Sequence, residues 1–218
     1  MNAFKWFGVL GILLASLPAA AQTYPNKPVR LVVPFAPGGT TDVVARGAAQ
    51  RLGAAWNQQV VVDNRPGGGT VIGTQLAANA PADGYTIFVA APSFVINETT
   101  RTNLPYDVTR DFKPLTVMAF QPYVLVTNPK VPARDVKALV ALARAQPDQL
   151  SFSSNGAGSP GHLAGELLKS MTGTRMTHVP YKGSAPATMA VASGETSMTF
   201  TTTTAVLPHA KSGRMRII

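Results

Sequence analysis

Twice in this chain an apolar run ends at a proline and glycines, and a threonine opens the stretch that follows. Residues 29–35 (VRLVVPF) run into Pro37-Gly38-Gly39-Thr40, and residues 60–63 (VVVD) run into Pro66-Gly67-Gly68-Gly69-Thr70. A continuous apolar run, rather than an alternating one, is the mark of a strand buried on both faces. Glycines allow the sharp turn out of such a strand, and Thr40, Thr41 and Asp42 are good helix caps. Repeated strand–glycine loop–helix junctions restrict the chain to βαβ units and a mainly parallel sheet.

The same alternation continues. Ala82-Asp83-Gly84 turns into a third strand over 85–91, after helices over about 43–55 and 71–79. Residues 92–111 carry turn residues and read as connection, and strand signal resumes over 115–127. Helices are expected over 136–145, 162–171, 185–192 and 205–211, and strands over 151–154, 177–180, 197–201 and 214–218. Gly173 and Gly194 are placed to terminate two of the helices. The pattern divides into an N-terminal segment, a first α/β lobe over 22–115 and a second over 116–218.

The N-terminal segment reads as an export signal. Lys5 is followed by an eleven-residue apolar stretch at 7–17 (FGVLGILLASL), then Pro18 and the small residues Ala19-Ala20-Ala21. Cleavage after Ala21 is expected, which places the mature protein outside the cytoplasm. The chain ends in an apolar strand at Ile217-Ile218, which suggests truncation. Three apolar strands and only two clear helices in the first lobe suggest an incomplete lobe, with exposed strand edges and reduced stability.

Composition removes several function classes. With no cysteine among 218 residues, thiol catalysis and thiolate metal sites are excluded. An apolar share of 45% against 13% charged residues excludes a disordered chain. The net charge of +9 is spread along the sequence without a basic stripe or interleaved aromatics, so nucleic acid is not an expected partner.

Gly156-Ala157-Gly158-Ser159-Pro160-Gly161 has the spacing of a dinucleotide fingerprint between a strand and a helix. The ribose-binding acid about 20 residues further on is missing, since residues 176–183 (MTHVPYKG) contain none. What remains is a glycine loop at a helix N-terminus, which suits an anion. No G-x-S-x-G elbow occurs, and Ser159 and His162 have no nearby acid in the pattern, which weighs against a secreted Ser/His hydrolase. His178 and His209 are isolated, and no ligand spacing suggests a metal. Asp42 and Arg46 stand four apart on the first helix, so they are expected to pair; the functional alternative is that Asp42 contacts ligand or orders the glycine loop. If the lobes face each other, the loops at 35–42 and 155–162 can clamp an anion from both sides. Gly39 and Gly158 are expected to be needed for close backbone approach or positive φ.

Several longer motifs carry a family resemblance. They include Tyr24-Pro25-Asn26-Lys27-Pro28, Val33-Pro34-Phe35-Ala36-Pro37-Gly38-Gly39-Thr40-Thr41-Asp42, Asn64-Arg65-Pro66-Gly67, Asp83-Gly84-Tyr85 and Leu104-Pro105-Tyr106-Asp107. Further along stand His162-Leu163-Ala164-Gly165-Glu166, His178-Val179-Pro180-Tyr181-Lys182-Gly183 and Pro208-His209. Through these the chain resembles the Bug (TctC-like) family of solute receptors for tripartite tricarboxylate transporters. The resemblance implies a two-lobed "Venus flytrap" fold, a periplasmic location, a small carboxylate ligand and membrane transporter components as partners. It implies a monomer that performs no catalysis and needs no cofactor; a sensor of the same fold, feeding a membrane signalling protein, is the alternative. The implied ligand-binding set is Phe35, Ala36, Pro37, Gly38, Gly39, Thr40, Thr41 and Asp42 in the first loop, and Asn155, Gly156, Ala157, Gly158, Ser159 and His162 in the second. Ser93, Tyr181 and Thr201 complete it. Many relatives carry a polar Asp or Asn where Thr201 to Thr204 follow Phe200, which bears on selectivity.

Overall fold

A computed structural model describes residues 23–218; the expected export signal lies outside the described residues. Two sheets organise the chain. The first has the order β2-β1-β3, with β1 (Val29–Val33) central between β2 (Val60–Asn64) and β3 (Thr86–Phe88) and every pair parallel. Centrality explains the composition of β1: Val29, Leu31, Val32 and Val33 are all buried. Leu31, Val33 and Phe35 pack against Ala45 and Ala49 of α1 (Thr40–Trp56). After β2, one turn of 3-10 helix at Gly68–Thr70 leads into α2 (Val71–Ala78).

Two sequence expectations fail in the next stretch. Residues 92–111 contain a helix, α3 (Ser93–Thr100), which is short and polar in its second half. It is held by Phe94, whose ring packs on Phe88, Phe112 and Tyr106 at centroid distances of 5.5, 4.9 and 6.0 Å, and by the buried Asn97, whose amide donates to the Gly69 carbonyl at 2.9 Å. The strand expected over 115–127 begins only at β4 (Tyr123–Thr127), and the apolar residues Leu115, Val117, Met118 and Phe120 before it are exposed. Pro122, which cannot donate to a ladder, stands immediately before the first paired residue.

The second sheet has the order β6-β5-β7-β4-β8. Its elements are α4 (Val136–Ala145), β5 (Ser151–Ser154), α5 (Pro160–Thr172), β6 (Thr177–Pro180), α6 (Ser184–Ser193), β7 (Met198–Thr202), α7 (Thr203–Lys211) and β8 (Arg216–Ile217). β5 pairs in parallel with β6 and β7, whereas β4 lies antiparallel to β7 and β8. The sheet is therefore mixed rather than mainly parallel. The helix ends follow local chemistry. The Asp135 carboxylate accepts from Ala138 N–H to start α4, Ser159 does the same for His162 N–H at α5, and Gly173 and Gly194 close α5 and α6 in the left-handed conformation. The cap expected of Thr40–Asp42 is not made: Gly39 is the N-cap of α1 and has no side chain to offer.

α5 lies directly on β5, where a Cβ built on Gly165 would stand 2.2 Å from Phe152, a residue with no exposed surface. Gly165→Ala should therefore cost about 1–3 kcal/mol through overpacking. Gly47→Ala, exposed on α1 with nothing within 4 Å of the added carbon, should gain about 0.5–1 kcal/mol from helix propensity. Urea denaturation of the two variants reads both signs.

Candidate functional site

The first glycine loop is ordered from within its own sheet. Asp42, 2% exposed, accepts from Gly38 N–H at 2.9 Å, from Arg46 Nε at 2.9 Å and from Asn64 Nδ2 at 2.9 Å. The Asn64 amide also reaches the Phe35 carbonyl at 3.1 Å. Burial alone would raise the Asp42 carboxyl, but the Arg46, Gly38 and Asn64 bonds outweigh it and hold the group below its ordinary value. The ion pair with Arg46 is thus made, and the same carboxylate orders the loop through Gly38 N–H. Removing the carboxylate leaves buried donors without an acceptor, so Asp42→Ala should destabilise the protein by about 1–3 kcal/mol in thermal or urea unfolding.

The outer side of this loop faces the second sheet. Ala36 N–H donates to the Lys182 carbonyl at 2.8 Å, and Thr40 N–H donates to Ser184 Oγ at 3.1 Å. Thr40 Oγ1 lies 2.6 Å from Thr202 Oγ1. Ser184 opens α6 and Thr202 is the N-cap of α7, so three helix N-termini, those of α1, α6 and α7, meet through hydrogen-bonding groups. Gly38 has a positive φ of 78°, whereas Gly39, for which close approach or a positive φ was expected, sits at −82°. Gly39 is constrained by space instead: an added Cβ would stand 2.8 Å from Ser184 Oγ.

The second glycine loop meets different partners. Gly156 and Gly158 take positive φ values of 138° and 77°. A Cβ on Gly158 would stand 3.2 Å from Asn97 Oδ1, and one on Gly69 would stand 2.7 Å from the Ala157 carbonyl oxygen. The loops at 35–42 and 155–162 therefore share the junction between the sheets, but the first abuts α6 and α7 while the second abuts Gly69 and α3. Much of the second loop's hydrogen bonding is internal. Gly156 N–H goes to Ser154 Oγ at 3.2 Å, Ser159 N–H to the Gly156 carbonyl at 3.1 Å and Gly158 N–H to His162 Nδ1 at 3.2 Å. With Ser159 Oγ serving as the helix cap and His162 Nδ1 turned to Gly158, the nucleophile–base hydrogen bond of a hydrolase is not formed.

The remaining candidates are dispersed. Pro37 and Ala157 are exposed, and Thr41 and Asn155 are half-buried. Ser93 opens α3 at 1% exposure, and its hydroxyl finds no hydrogen-bond partner among the described residues. Tyr181 turns its hydroxyl to Glu195 at 2.7 Å, and burial together with that carboxylate pushes the phenol up to about 12. Thr201 is buried on β7. Lys182, Ser184, Asn97 and Thr202 stand at the junction outside the expected binding set, Thr202 being marked only within the 201–204 stretch that bears on selectivity. Gly183-Ser184 repeats the glycine–hydroxyl pattern of Gly39-Thr40 at a strand–helix junction and was a usable signal.

Behind the second loop, His178 on β6 stacks between Phe152 and His162, at 4.8 and 4.0 Å between ring centres. Burial, then the adjacent His162, lower its pKa from the ordinary 6.5 to about 4, with Lys169 adding to the shift and Glu166 opposing it. The unfolded chain binds a proton that the folded chain refuses across that interval. Stability from this group is therefore complete above about pH 6.5 and declines as pH falls toward 4. Melting temperatures measured across that range should fall in the wild type and be flatter in His178→Gln.

The profile of the tripartite tricarboxylate transporter family receptor, TctC, matches residues 42–218. The chain belongs to this family. It is 39% identical to protein BugT of Bordetella pertussis, over all of this chain and 69% of that protein. Among solved structures, R. palustris Rpa4515 with adipate superposes with a TM-score of 0.85 at 39% identity, over 89% of this chain and 66% of that one. MatC (Rpa3494) from Rhodopseudomonas palustris, with bound malate, gives 0.84 at 26% identity over the same shares. The chain thus spans about two thirds of the length of these relatives. The two-lobed α/β fold expected from the sequence is the fold of these binding proteins, and TctC is a receptor family rather than an enzyme family.

Proposed function

We propose that the chain is the solute-capturing part of a periplasmic receptor that delivers a small carboxylate to a tripartite tricarboxylate transporter. The observation that carries this reading is the meeting of the α1, α6 and α7 N-termini around Thr40, Ser184 and Thr202. Each helix of this kind ends in roughly +0.5 elementary charge and free N–H groups. Bringing three such ends together is unfavourable unless an anion lies among them. Family membership, and the adipate and malate present in the two relatives, support a carboxylate as that anion.

In this reading residues 22–115 form one lobe and 116–218 the other, and closure brings the loops at 35–42 and 155–162 around the ligand. Ser184 and Thr202 join the earlier candidate set, and Ser93 supplies a free hydroxyl. A segment at 1–21 directs export and is removed, and the receptor acts as a monomer without cofactor. Membrane components of the transporter are the partners that accept the closed, loaded form.

Gly39→Val places branched carbons against Ser184 and holds the lobes apart. Calorimetric titration with malate and adipate should show binding to the wild type and a loss of about tenfold or more in the variant, equivalent to about 1.4 kcal/mol. Unchanged affinity in Gly39→Val, or no heat with either acid, overturns the reading.

A further inference from the structure

We propose that His162 and His178 are positioning residues, a stacked neutral pair that fixes the second glycine loop, and that protonation of His162 at Nδ1 releases Gly158. Each glycine of the loop is tied to one ring. Gly158 N–H donates to His162 Nδ1 at 3.2 Å. Gly156 is held through Ser154 Oγ, which takes its N–H at 3.2 Å, lies 3.0 Å from its carbonyl and is 2.7 Å from His178 Nε2. The rings stack at 4.0 Å with an interplanar angle of 22°, so moving one displaces the other.

An imidazole nitrogen accepts only while it carries no proton. The Gly158 bond therefore requires His162 to be neutral with its hydrogen on Nε2, facing Glu166 Oε1 at 3.9 Å. Adding a proton at Nδ1 sets two donors against each other, and the Gly158 amide must turn away. The titratable groups that face the pair are Glu166 and Lys169 on α5, which bond each other at 2.9 Å, while β5 contributes the uncharged Phe152 and Ser154. Burial keeps His178 neutral down to about pH 4, so the device turns on the ring that Gly158 bonds directly, His162. Gly158 faces Asn97 of the first lobe across the junction, so a freed loop loosens the closed form. Only that last consequence, weaker capture in acid, rests on the receptor reading.

Nitrogen-15 NMR of the full chain tests the device without any ligand. The Gly158 amide should shift with the same pH midpoint as the His162 ring, and Nδ1 should be the unprotonated nitrogen at neutral pH. His162→Asn, which retains an acceptor at that place but cannot titrate, should keep Gly158 protected from hydrogen exchange and make its shift independent of pH. His162→Leu should lose the protection. A Gly158 amide that ignores the His162 titration, or moves equally in His162→Asn, overturns the proposal, and the wild-type titration decides alone if the Leu variant does not fold. With malate or adipate as titrant, the affinity of wild type relative to His162→Asn should fall with the midpoint that the NMR titration gives for the His162 ring. If neither acid binds, the receptor reading fails while the NMR result stands.

Discussion

Three helix N-termini brought together at Thr40 set the terms for the rest of this structure. The contact joins the two sheets, through Thr40 N–H to Ser184 Oγ and Thr40 Oγ1 to Thr202 Oγ1. It also places like-signed partial charges side by side, each roughly half an elementary charge. The hydroxyls satisfy some of the exposed amides, yet they cannot cancel the summed dipoles. A negative charge can, and it acts on both lobes at once. On the proposed function, the same interaction that opposes closure of the empty protein favours closure of the loaded one, which is the differential a capture device requires.

For that differential to be spent on ligand, the loops must not collapse or wander when the ligand is absent. The protein settles this by holding each loop from behind. Asp42 gathers Gly38, Arg46 and Asn64 on the first-lobe side, and the His162–His178 stack gathers Gly158 and Gly156 on the other. The amides used for this are among those a sequence reading would assign to the ligand. What the junction then offers an acid is the set of helix N-termini and hydroxyls left over, which is compatible with recognition through shared backbone chemistry rather than a dedicated cation.

Much of the fold was legible in the residues, and the failures have physical causes. The bounds of α4, β5 and β6 match the expected 136–145, 151–154 and 177–180, because helical spacing and short segments bounded by turn and cap residues are local signals. α3 was missed because it is anchored by the Phe94 ring and the buried Asn97 amide on residues up to twenty-eight positions away, not by its own periodicity. The stretch at 115–120 was taken for strand because it is apolar, but apolarity alone gives it no partner. At the site, the glycine loops were legible because only glycine makes those turns. The partners that Thr40 finds in Ser184 and Thr202 were not, since pairing between residues 144 and 162 positions apart leaves no local pattern, even though Gly183-Ser184 repeats the glycine–hydroxyl signal of Gly39-Thr40. Nor does sequence tell which of Gly38 and Gly39 takes positive φ and which is pressed against a neighbour.

The central claim is that a carboxylate is the charge these helix ends await. A crystal structure of the chain grown with adipate addresses it directly. The account predicts density for a carboxylate within hydrogen-bonding distance of donors at the N-termini of α1 and α6, with both lobes in contact with the acid. Density for the acid away from the junction, or a junction still closed and empty at saturating adipate, would contradict it.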